Sequence, residues 1–218
     1  MVLTGESVIL RAMEKDDLEE LRKLRNETYV DGLYRQYRPL TSKDQERYWD
    51  AVVNHENYIV FPIVIPEVGD SRKDITGVIG SDGKMETFHA VKKWRVVGEV
   101  RSGYINWRNR TAELGIFLGK DYQQHGFGSE ALYLFLDHYF NFLNLNRIEA
   151  VTVTPRVMNW FRQFGFEQFG ETVRSNYYAG EWRPDYYLEL YSDTWMRRRL
   201  EIYAKHVEPR IHAAPKIV

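Results

Sequence analysis

The sequence contains no cysteine among its 218 residues. This absence excludes disulfides, thiolate metal sites and a cysteine nucleophile, and it is compatible with a reducing compartment. No apolar run approaches the ~18 residues of a membrane-spanning helix, and the N-terminus lacks the charged and apolar regions of a secretory signal. We therefore expect a cytoplasmic protein without a membrane partner.

Excess charge is also missing, since 30 basic and 31 acidic residues give a formal net charge of −1. A chain this close to neutral has no overall field that would recruit nucleic acid, so we expect no nucleic-acid partner. The six histidines show no pairing at metal-ligand spacing, and we assign no metal. The run Arg197 to Arg199 leaves an RNA contact open, although three arginines around a helix are more often a solvated face.

The composition that is present is that of a globular protein, with 44% hydrophobic and 28% charged residues. The length suits one sizeable core. We predict a single domain over 1–192, with an insertion over 67–93 that forms a hairpin or a loop, followed by a C-terminal helix and tail over 193–218. The periodicities give the order β, α, α, β, β, β, α, β, α, β, β. Thr41 and Ser42 both offer an N-cap for the second helix, with Ser42 and Gln45 spaced as a capping box.

The most informative stretch is Gln123 to Ala131, between a strand pattern over 112–118 and an apolar helix pattern over 131–143. Gly126 and Gly128 let the backbone turn sharply into the helix and approach a ligand closely. The first N–H groups of the helix and its positive dipole end would then face an anion. The stretch predicts a pyrophosphate cradle for a nucleotide-type cofactor. A loop that only connects strand to helix is the alternative.

The arrangement of these glycines excludes two other phosphate-binding patterns. A dinucleotide fingerprint needs Gly-x-Gly-x-x-Gly after the first strand of a βαβ unit, and a P-loop needs Gly-Lys-Ser/Thr. The pattern Gln123-x-x-Gly126-x-Gly128 instead resembles the acyl-CoA-binding signature of the GNAT N-acetyltransferase superfamily, Gln/Arg-x-x-Gly-x-Gly/Ala. The order of elements is also similar to that of the GNAT fold.

In detail the chain resembles the branch that includes the ribosomal-protein alanine acetyltransferases (RimJ/RimL type). The shared features are an early strand ending in Leu10-Arg11-Ala12, a hairpin with Ala112-Glu113-Leu114-Gly115, the cofactor loop and a late Gly165-Phe166. This resemblance covers about Val8 to Leu190. It implies an α+β fold in α/β/α layers, with a mixed, mostly antiparallel sheet of about seven strands that is open between its fourth and fifth strands, plus a C-terminal helix.

The resemblance implies an enzyme that moves an acetyl group from acetyl-CoA, its cosubstrate, to a primary amine. The amine attacks the thioester carbonyl, a tetrahedral oxyanion forms and the CoA thiolate departs. A protein N-terminus, a small metabolite and an antibiotic all stay open as acceptors, and a homodimer is compatible with the sequence. The alternative is a catalytically weak CoA-binding sensor or scaffold with the same fold.

Glu113 is the candidate catalytic base, because the amine must be neutral to attack and most amines are charged near pH 7. The strand pattern puts Glu113 on a partly apolar face with Phe117, where burial would make it a better base. The alternative is a glutamate that is salt-bridged to Arg101 or Arg110 across the hairpin. We expect the oxyanion at N–H groups near Phe117 and Leu118.

The general acid stays unassigned. The family pattern before the late Gly-Phe has an Asn and, seven residues later, a Tyr that often protonates the leaving thiolate. This chain has Thr154 and Phe161 in those places. Water, Asn159 or a hydroxyl of the final hairpin at Tyr177 or Tyr178 would have to serve, or the thiolate leaves unassisted.

The remaining site residues are carried over from the same resemblance. Cofactor contacts are expected from Phe117, Leu118, Gln123, Gln124, His125, Gly126, Phe127, Gly128, Ser129 and Asn159. The backbone amides of the loop would hold the pyrophosphate, and Ser129 would add a hydroxyl. A clamp for an amine that carries an acidic group would be formed by Tyr34, Arg35, Tyr37, Tyr178 and Trp182. For any one of these rings, packing of the loops is the alternative.

Overall fold

The computed structural model describes residues 1–28, 38–68, 75–79, 85–89, 91–178 and 180–213. Side chains are described for 1–28, 38–66, 94–177 and 180–210. The predicted substrate residues Tyr34, Arg35 and Tyr37 lie outside the described residues, and Tyr178 is described by its backbone alone. Within the described ranges, no helix is both long and apolar enough to cross a membrane.

Ten strands and six helices make up the described chain. The strands are β1 (Val2–Thr4), β2 (Ile9–Arg11), β3 (Ile59–Val68), β4 (Ile75–Ile79), β5 (Met85–His89), β6 (Val91–Asn106), β7 (Thr111–Leu118), β8 (Arg147–Thr152), β9 (Glu167–Tyr178) and β10 (Glu181–Tyr191). The helices are α1 (Asp17–Thr28), α2 (Ser42–Val53), α3 (Phe127–Asp137), α4 (Pro155–Gln163), α5 (Ser192–Ile202) and α6 (Glu208–Ala213). Short π-helical segments extend α3 over His138–Phe142 and join α5 to α6 over Tyr203–Val207.

Eight strands form one sheet in the order β1-β2-β3-β6-β7-β8-β10-β9, and β4 and β5 form a separate hairpin. Neighbouring strands of the large sheet are antiparallel except β7 and β8, which run parallel. The predicted α+β class and the mixed, mostly antiparallel sheet are confirmed. The sheet has eight strands rather than about seven, because Val2–Thr4 pairs with Ile9–Arg11 as an additional edge hairpin.

Helices cover both faces of this sheet. The larger core lies on the face of α3, α4 and α5, where Phe135, Phe164 and Trp195 are fully buried. The smaller core lies under α1 and α2, where Leu21 and Leu24 pack on β3, β6 and β7. Burial alternates along each strand because successive side chains point to opposite faces. The layering of helices on both faces therefore agrees with the prediction.

The N-cap of α2 is Thr41, one of the two predicted candidates, but the capping box differs from the prediction by one residue. The capping box joins Thr41 and Asp44 rather than Ser42 and Gln45, with the Asp44 N–H donating to Thr41 Oγ1 (3.2 Å) and the Thr41 N–H donating to Asp44 Oδ2 (2.9 Å). Thr41 has the extended backbone that an N-cap needs, and Ser42 is already helical. Gln45 is buried instead of capping.

The C-terminal arm, defined here as residues 192–213, runs antiparallel to α3. Near its start, Arg199 Nη1 lies 2.7 Å from Asp137 at the end of α3. Further along, the ring of Tyr203 contacts that of Tyr133, with 5.0 Å between centroids. At its end, Arg210 reaches the first turn of α3. Because Trp195, Ile202 and Val207 are buried in the larger core, the arm is packed on the domain along its length.

Candidate active site

The two parallel strands of the sheet separate after a short pairing. The register joins Thr111 to Arg147 and Leu114 to Ala150, and within the described residues it extends no further. Beyond that point a cleft of about 780 Å³ opens between β7 and β8. In the order β2, β3, β6, β7, β8, this is the opening between the fourth and fifth strands that the resemblance predicted.

The main-chain groups along the open edge of β7 follow from its register with β6. The Gly119 N–H donates to the Val97 carbonyl (2.9 Å), and Glu99 pairs with Phe117. In this antiparallel alternation, the N–H and C=O of Phe117 point to β6, and those of Leu118 point to the cleft. The N–H of Leu118 is therefore placed for a bound carbonyl, while that of Phe117 is not.

The side chain of Gln123 fixes the cofactor loop to this edge. Its Nε2 donates to the Leu118 carbonyl at 3.1 Å. The loop then turns through Gln124, at φ +66°, and Gly126, at φ +87°, before α3 begins. A positive φ strains most residues but costs glycine little, so Gly126 suits this turn. The Gln-x-x-Gly motif thus sets both the attachment and the direction of the loop.

The start of α3 exposes N–H groups toward the cleft. The N–H groups of Ser129 and Glu130 both donate to the Gly126 carbonyl, at 2.9 and 3.1 Å. Those of Phe127 and Gly128 precede the first intrahelical bond and have no acceptor within the helix. Together with the positive end of the helix dipole, they make the start of α3 suitable for the anion that the glycine pattern predicts.

Seven of the ten predicted cofactor residues line the cleft, namely Phe117, Leu118, Gln123, Gln124, Gly126, Gly128 and Ser129. The other three do not. Phe127 is 5% exposed and belongs to the larger core, and His125 stacks on it with centroids 5.9 Å apart. Asn159 is exposed, and its Oδ1 accepts a hydrogen bond from Arg162 Nη1 at 3.2 Å.

The Ser129 hydroxyl accepts hydrogen bonds from two donors. Its Oγ accepts from Arg210 Nη1 at 2.7 Å and from Trp160 Nε1 at 3.2 Å. Both donors also line the cleft. Arg210 belongs to the C-terminal arm, so the arm contributes to the wall of the predicted cradle. Sequence reasoning missed this residue because nothing local to Arg210 indicates a fold-back onto α3.

At the end of the cleft away from the glycine loop, the predicted base Glu113 is exposed. The burial from which we argued its role is therefore absent. Arg101 lies across the neighbouring Gly115, since a Cβ added there would be 2.9 Å from Arg101 Nε. Glu113 and Arg101 thus flank the same stretch of β7.

The buried carboxylate at this end is Glu99, which the sequence prediction did not include. It is 1% exposed, and its Oε1 accepts from Arg25 Nη2 (2.9 Å) and from the Tyr48 hydroxyl (2.8 Å). Arg101 Nε lies 3.9 Å from the same oxygen. Within the described residues, Glu99 Oε2 is buried and has no hydrogen-bond partner. The available signal was a glutamate inside the apolar run from Val96 to Val100.

Arg25 and Tyr48 hold this cluster in a fixed arrangement. The Arg25 guanidinium lies over the rings of Tyr48 and Phe117, at 4.8 and 5.0 Å from their centroids. Burial, assisted by the Glu99 carboxylate, raises the pKa of the Tyr48 hydroxyl well above its ordinary value. Tyr48 therefore stays protonated and donates to Glu99 at neutral pH.

The positions that replace the family's Asn and Tyr have structural contacts. Thr154 caps α4, because its hydroxyl accepts from the Val157 N–H at 3.4 Å. Phe161 is 4% exposed and packs against Phe166 with centroids 5.0 Å apart. On the final hairpin, Tyr177 and Trp182 are exposed and contact each other edge to face at 5.3 Å. None of these contacts identifies a general acid.

A comparison with protein families decides the classification. The model described as "Acetyltransferase (GNAT) domain" matches residues 7–166, which is more than half of the chain. The chain belongs to the GNAT acetyltransferase family. As a member it is an acetyltransferase enzyme, with acetyl-CoA as its cosubstrate. The predictions of the fold, of the enzyme class and of acetyl-CoA are thereby confirmed.

Known GNAT relatives are distant in sequence. An uncharacterised N-acetyltransferase p20 from Bacillus licheniformis is 28% identical over 150 residues, covering 68% of this chain and 71% of that protein. A spermidine N(1)-acetyltransferase from Escherichia coli K12 is 23% identical over 182 residues, 83% of each chain. Neither belongs by its name to the RimJ/RimL type, so that narrower resemblance is not confirmed.

Solved structures show the same GNAT fold. The Vibrio cholerae spermidine N-acetyltransferase in complex with CoA and spermine superposes with a TM-score of 0.68 at 18% identity, over 88% of this chain and 99% of that chain. A dodecameric structure of the spermidine N-acetyltransferase from the same organism gives a TM-score of 0.65 at 18% identity, over 89% and 99%.

Proposed function

We propose that this GNAT enzyme acetylates a primary amine that also carries an acidic group. The observation that carries the proposal is a continuous cleft joining the glycine loop, at one end, to Glu99, Glu113 and two arginines at the other. Acetyl-CoA would place its diphosphate on the loop and its thioester along the open edge of β7. The amine would arrive from the side of α1 and α2.

The charge of the acceptor end supports an acidic group on the substrate. Arg25 and Arg101 share the single buried carboxylate of Glu99, and Glu113 is exposed. Glu99 and Glu113 balance the charges of the two arginines at this end of the cleft. The preference for an acidic group is therefore proposed from Arg101 alone, whose Nε lies 3.9 Å from Glu99 and which could pair with a carboxylate of the substrate. The predicted clamp residues Trp182 and Arg35 would extend this surface, and they remain part of the proposal.

Glu113 is proposed to accept the proton of the attacking amine, directly or through water. Its exposure gives the proton a route to solvent, and it lies on the strand whose edge would hold the thioester. The Leu118 N–H is proposed to stabilise the oxyanion. Glu99 is proposed to act as a positioning residue that holds Arg25 in the cleft wall. Its Oε1 accepts from Arg25 and from the Tyr48 hydroxyl.

Polyamines are the second candidate acceptors, because spermidine acetyltransferases occur among the relatives in both sequence and structure. A peptide beginning with alanine represents the ribosomal-protein type of substrate. The discriminating observation is the sign of the charge that the acceptor carries beside its amine. A spermidine-like acceptor adds positive charge, and an amino acid or acidic peptide adds negative charge.

The test measures release of free thiol from acetyl-CoA in the presence of four amines: spermidine, an alanine-led peptide, an acidic amino compound and an amine-bearing antibiotic. We expect turnover with the acidic acceptor and a loss of about 100-fold in Glu113→Gln. Glu46→Gln, a change on α2 outside the cleft lining, serves as control. Turnover with spermidine alone would overturn the proposed substrate class.

Binding without turnover has a separate meaning. Acetyl-CoA should raise the unfolding midpoint by roughly 8 to 16 °C at about 1,000 times its dissociation constant. Such a shift, with no thiol released from any acceptor, would favour the CoA-binding sensor over the enzyme. Unchanged turnover in Glu113→Gln would remove Glu113 from the mechanism and leave water as the proton acceptor.

A further inference from the structure

The C-terminal arm carries a cationic side chain into the cofactor cleft. The arm begins after the family match, which ends at residue 166, and it returns along α3 to the glycine loop. Its backbone touches the loop as well, since a Cβ added at Gly126 would lie 2.8 Å from the Arg210 carbonyl oxygen. Arg210 is therefore placed by the packing of the whole arm rather than by the cofactor motif.

Arg210 has neutral partners. Its Nη1 donates to Ser129 Oγ at 2.7 Å, and its Nη2 donates to Gln163 Oε1 at 2.5 Å. Among the described residues, no carboxylate forms an ion pair with it at 4.0 Å or less. Partial burial lowers the pKa of this guanidinium from its ordinary value. A partly desolvated cation with only neutral partners is energetically unfavourable until an anion joins it.

The location adds to this cost. Ser129 lies in the first turn of α3, where the helix dipole contributes positive potential and repels a cation. Arg156 lines the same cleft and adds a second positive charge. Trp160 supplies a further donor to Ser129. Hydrogen-bond donors and positive charges therefore converge on one part of the cleft. A negatively charged acceptor would satisfy both.

We propose that Arg210 binds the diphosphate of acetyl-CoA, so that the C-terminal arm forms a second wall of the cradle opposite the glycine loop. The assignment rests on the proposed binding of acetyl-CoA in this cleft. The guanidinium would exchange both Ser129 and Gln163 for two phosphate oxygens, a geometry that its planar fork favours. The Ser129 hydroxyl would then be released to donate to the same group.

The diphosphate is favoured over the 3′-phosphate of CoA by position. Arg210 contacts Ser129, one residue after the N–H groups of Phe127 and Gly128 that face the anion site. A phosphate held by those N–H groups lies within reach of the same guanidinium. The 3′-phosphate is attached to C3′ of the ribose, whereas the diphosphate is attached to C5′, so the two groups occupy different positions and the 3′-phosphate would need a different set of donors.

The experiment measures dissociation constants for three ligands by calorimetry or competition: acetyl-CoA, its 3′-dephospho analogue, and acetyl-pantetheine, which has no phosphate. The variants are Arg210→Gln and Arg210→Lys, with Arg197→Gln, an exposed arginine on the same arm, as the matched control. Thermal unfolding without ligand verifies that each variant is folded.

We expect Arg210→Gln to weaken acetyl-CoA and the dephospho analogue by about tenfold each and to leave acetyl-pantetheine unchanged. Arg210→Lys should retain part of the affinity, because it keeps the charge and loses the fork. Arg197→Gln should bind as the unmodified protein does.

Four outcomes would overturn the assignment: unchanged affinity, loss confined to acetyl-CoA, equal loss for acetyl-pantetheine, or tighter binding. They would mean, respectively, no contact, a 3′-phosphate contact, a structural role for the arginine, and an arm that obstructs the cleft. Failure of the unmodified protein to bind acetyl-CoA is distinguishable from all four. That result would refute the proposed function itself.

Discussion

At the residue scale, two glycines with nearly the same positive φ allow backbone strain to be separated from side-chain contact. Gly126 has φ +87° and lies against the carbonyl of Arg210, whereas Gly180 has φ +88° and, among the described residues, no atom within 4 Å of an added Cβ. An alanine at either position meets the same left-handed strain. At Gly126 alone it also meets the C-terminal arm.

We therefore predict that Gly180→Ala destabilises the protein by about 1 kcal/mol and that Gly126→Ala destabilises it by more. The excess in Gly126→Ala measures the collision with the arm, and this variant should also bind acetyl-CoA more weakly. Urea unfolding and ligand titration of both variants provide the comparison. Equal losses of stability would show that the arm moves aside to accommodate the added methyl group without a further loss of free energy of unfolding.

The Arg25–Glu99 pair is the second feature that belongs to single residues. Glu99 is 1% exposed and the Arg25 side chain 15% exposed, so neither charge is compensated by water. Arg25 also covers the rings of Tyr48 and Phe117. Removing the negative charge leaves a buried guanidinium without its counterion.

Glu99→Gln should accordingly reduce the free energy of unfolding by about 3 kcal/mol. Glu19→Gln is the matched control, because Glu19 pairs with Arg22 in an exposed ion pair on α1. Denaturant unfolding should show no measurable change in that control. If both variants unfold alike, the buried pair contributes no more than a surface pair.

At the scale of single elements, the contacts around its first turn decide where α2 begins. Thr41 and Asp44 form the box, although Ser42 and Gln45 have the same spacing. Arg38 pairs with Asp44 and favours its charged form, and the pKa of Asp44 lies far below its ordinary value through the Arg38 hydrogen bond first and the Thr41 bonds second. Gln45, in contrast, is buried.

Thr41→Ala is predicted to cost about 1 kcal/mol of stability, because the Asp44 N–H loses its acceptor. Ser42→Ala should cost nothing measurable, since Ser42 is already inside the helix and alanine is the better helix former. Chemical unfolding of the two variants distinguishes the boxes. A larger loss in Ser42→Ala would move the helix start by one residue.

β7 is an element whose position and buried faces follow from its sequence pattern. The sequence predicts a strand over 112–118 with Glu113 and Phe117 on the same face, and the structure has a strand over Thr111–Leu118 in which Phe117 packs in the smaller core and Leu114 in the larger one. What the pattern does not contain is the degree of burial of Glu113. That residue is exposed because the strand edge opens into the cleft beside it.

At the scale of the whole molecule, stability depends on pH through a buried histidine. His138 is 7% exposed, packs on Phe61, Tyr139 and Phe142, and within the described residues its Nε2 has no partner. Burial lowers the pKa of His138 below 6.5, although Asp137 partly opposes the shift. The folded state therefore holds fewer protons than the unfolded chain in mildly acid solution.

Because the folded pKa is the lower one, this contribution is complete above about pH 6.5 and declines as the pH falls toward the folded value. We predict that the urea midpoint of the unmodified protein decreases as the pH is lowered from 7.5 to 5. The midpoint of His138→Phe should decrease less over the same range. Urea titrations at both pH values test the difference. Parallel declines would assign the acid sensitivity to other groups.

The sequence by itself determined the family, the α+β class, the order of the main elements and the position of the glycine loop before α3. These features are local: Gln123-x-x-Gly126-x-Gly128, the period of each strand and helix, and the dipole of α3 act over a few residues. The extra strand β1 escaped the pattern because three residues are too few to show a period.

Only the tertiary structure decided which groups meet in the cleft. Glu99 becomes the buried carboxylate because α1 and α2 cover that face of the sheet, and Arg210 reaches Ser129 because the arm folds back over 81 positions of sequence. Two of the predicted site residues, Phe127 and Asn159, do not line the cleft, because Phe127 packs in the core and Asn159 points to solvent. Burial and long-range contact are properties of packing, and spacing along the chain does not encode them.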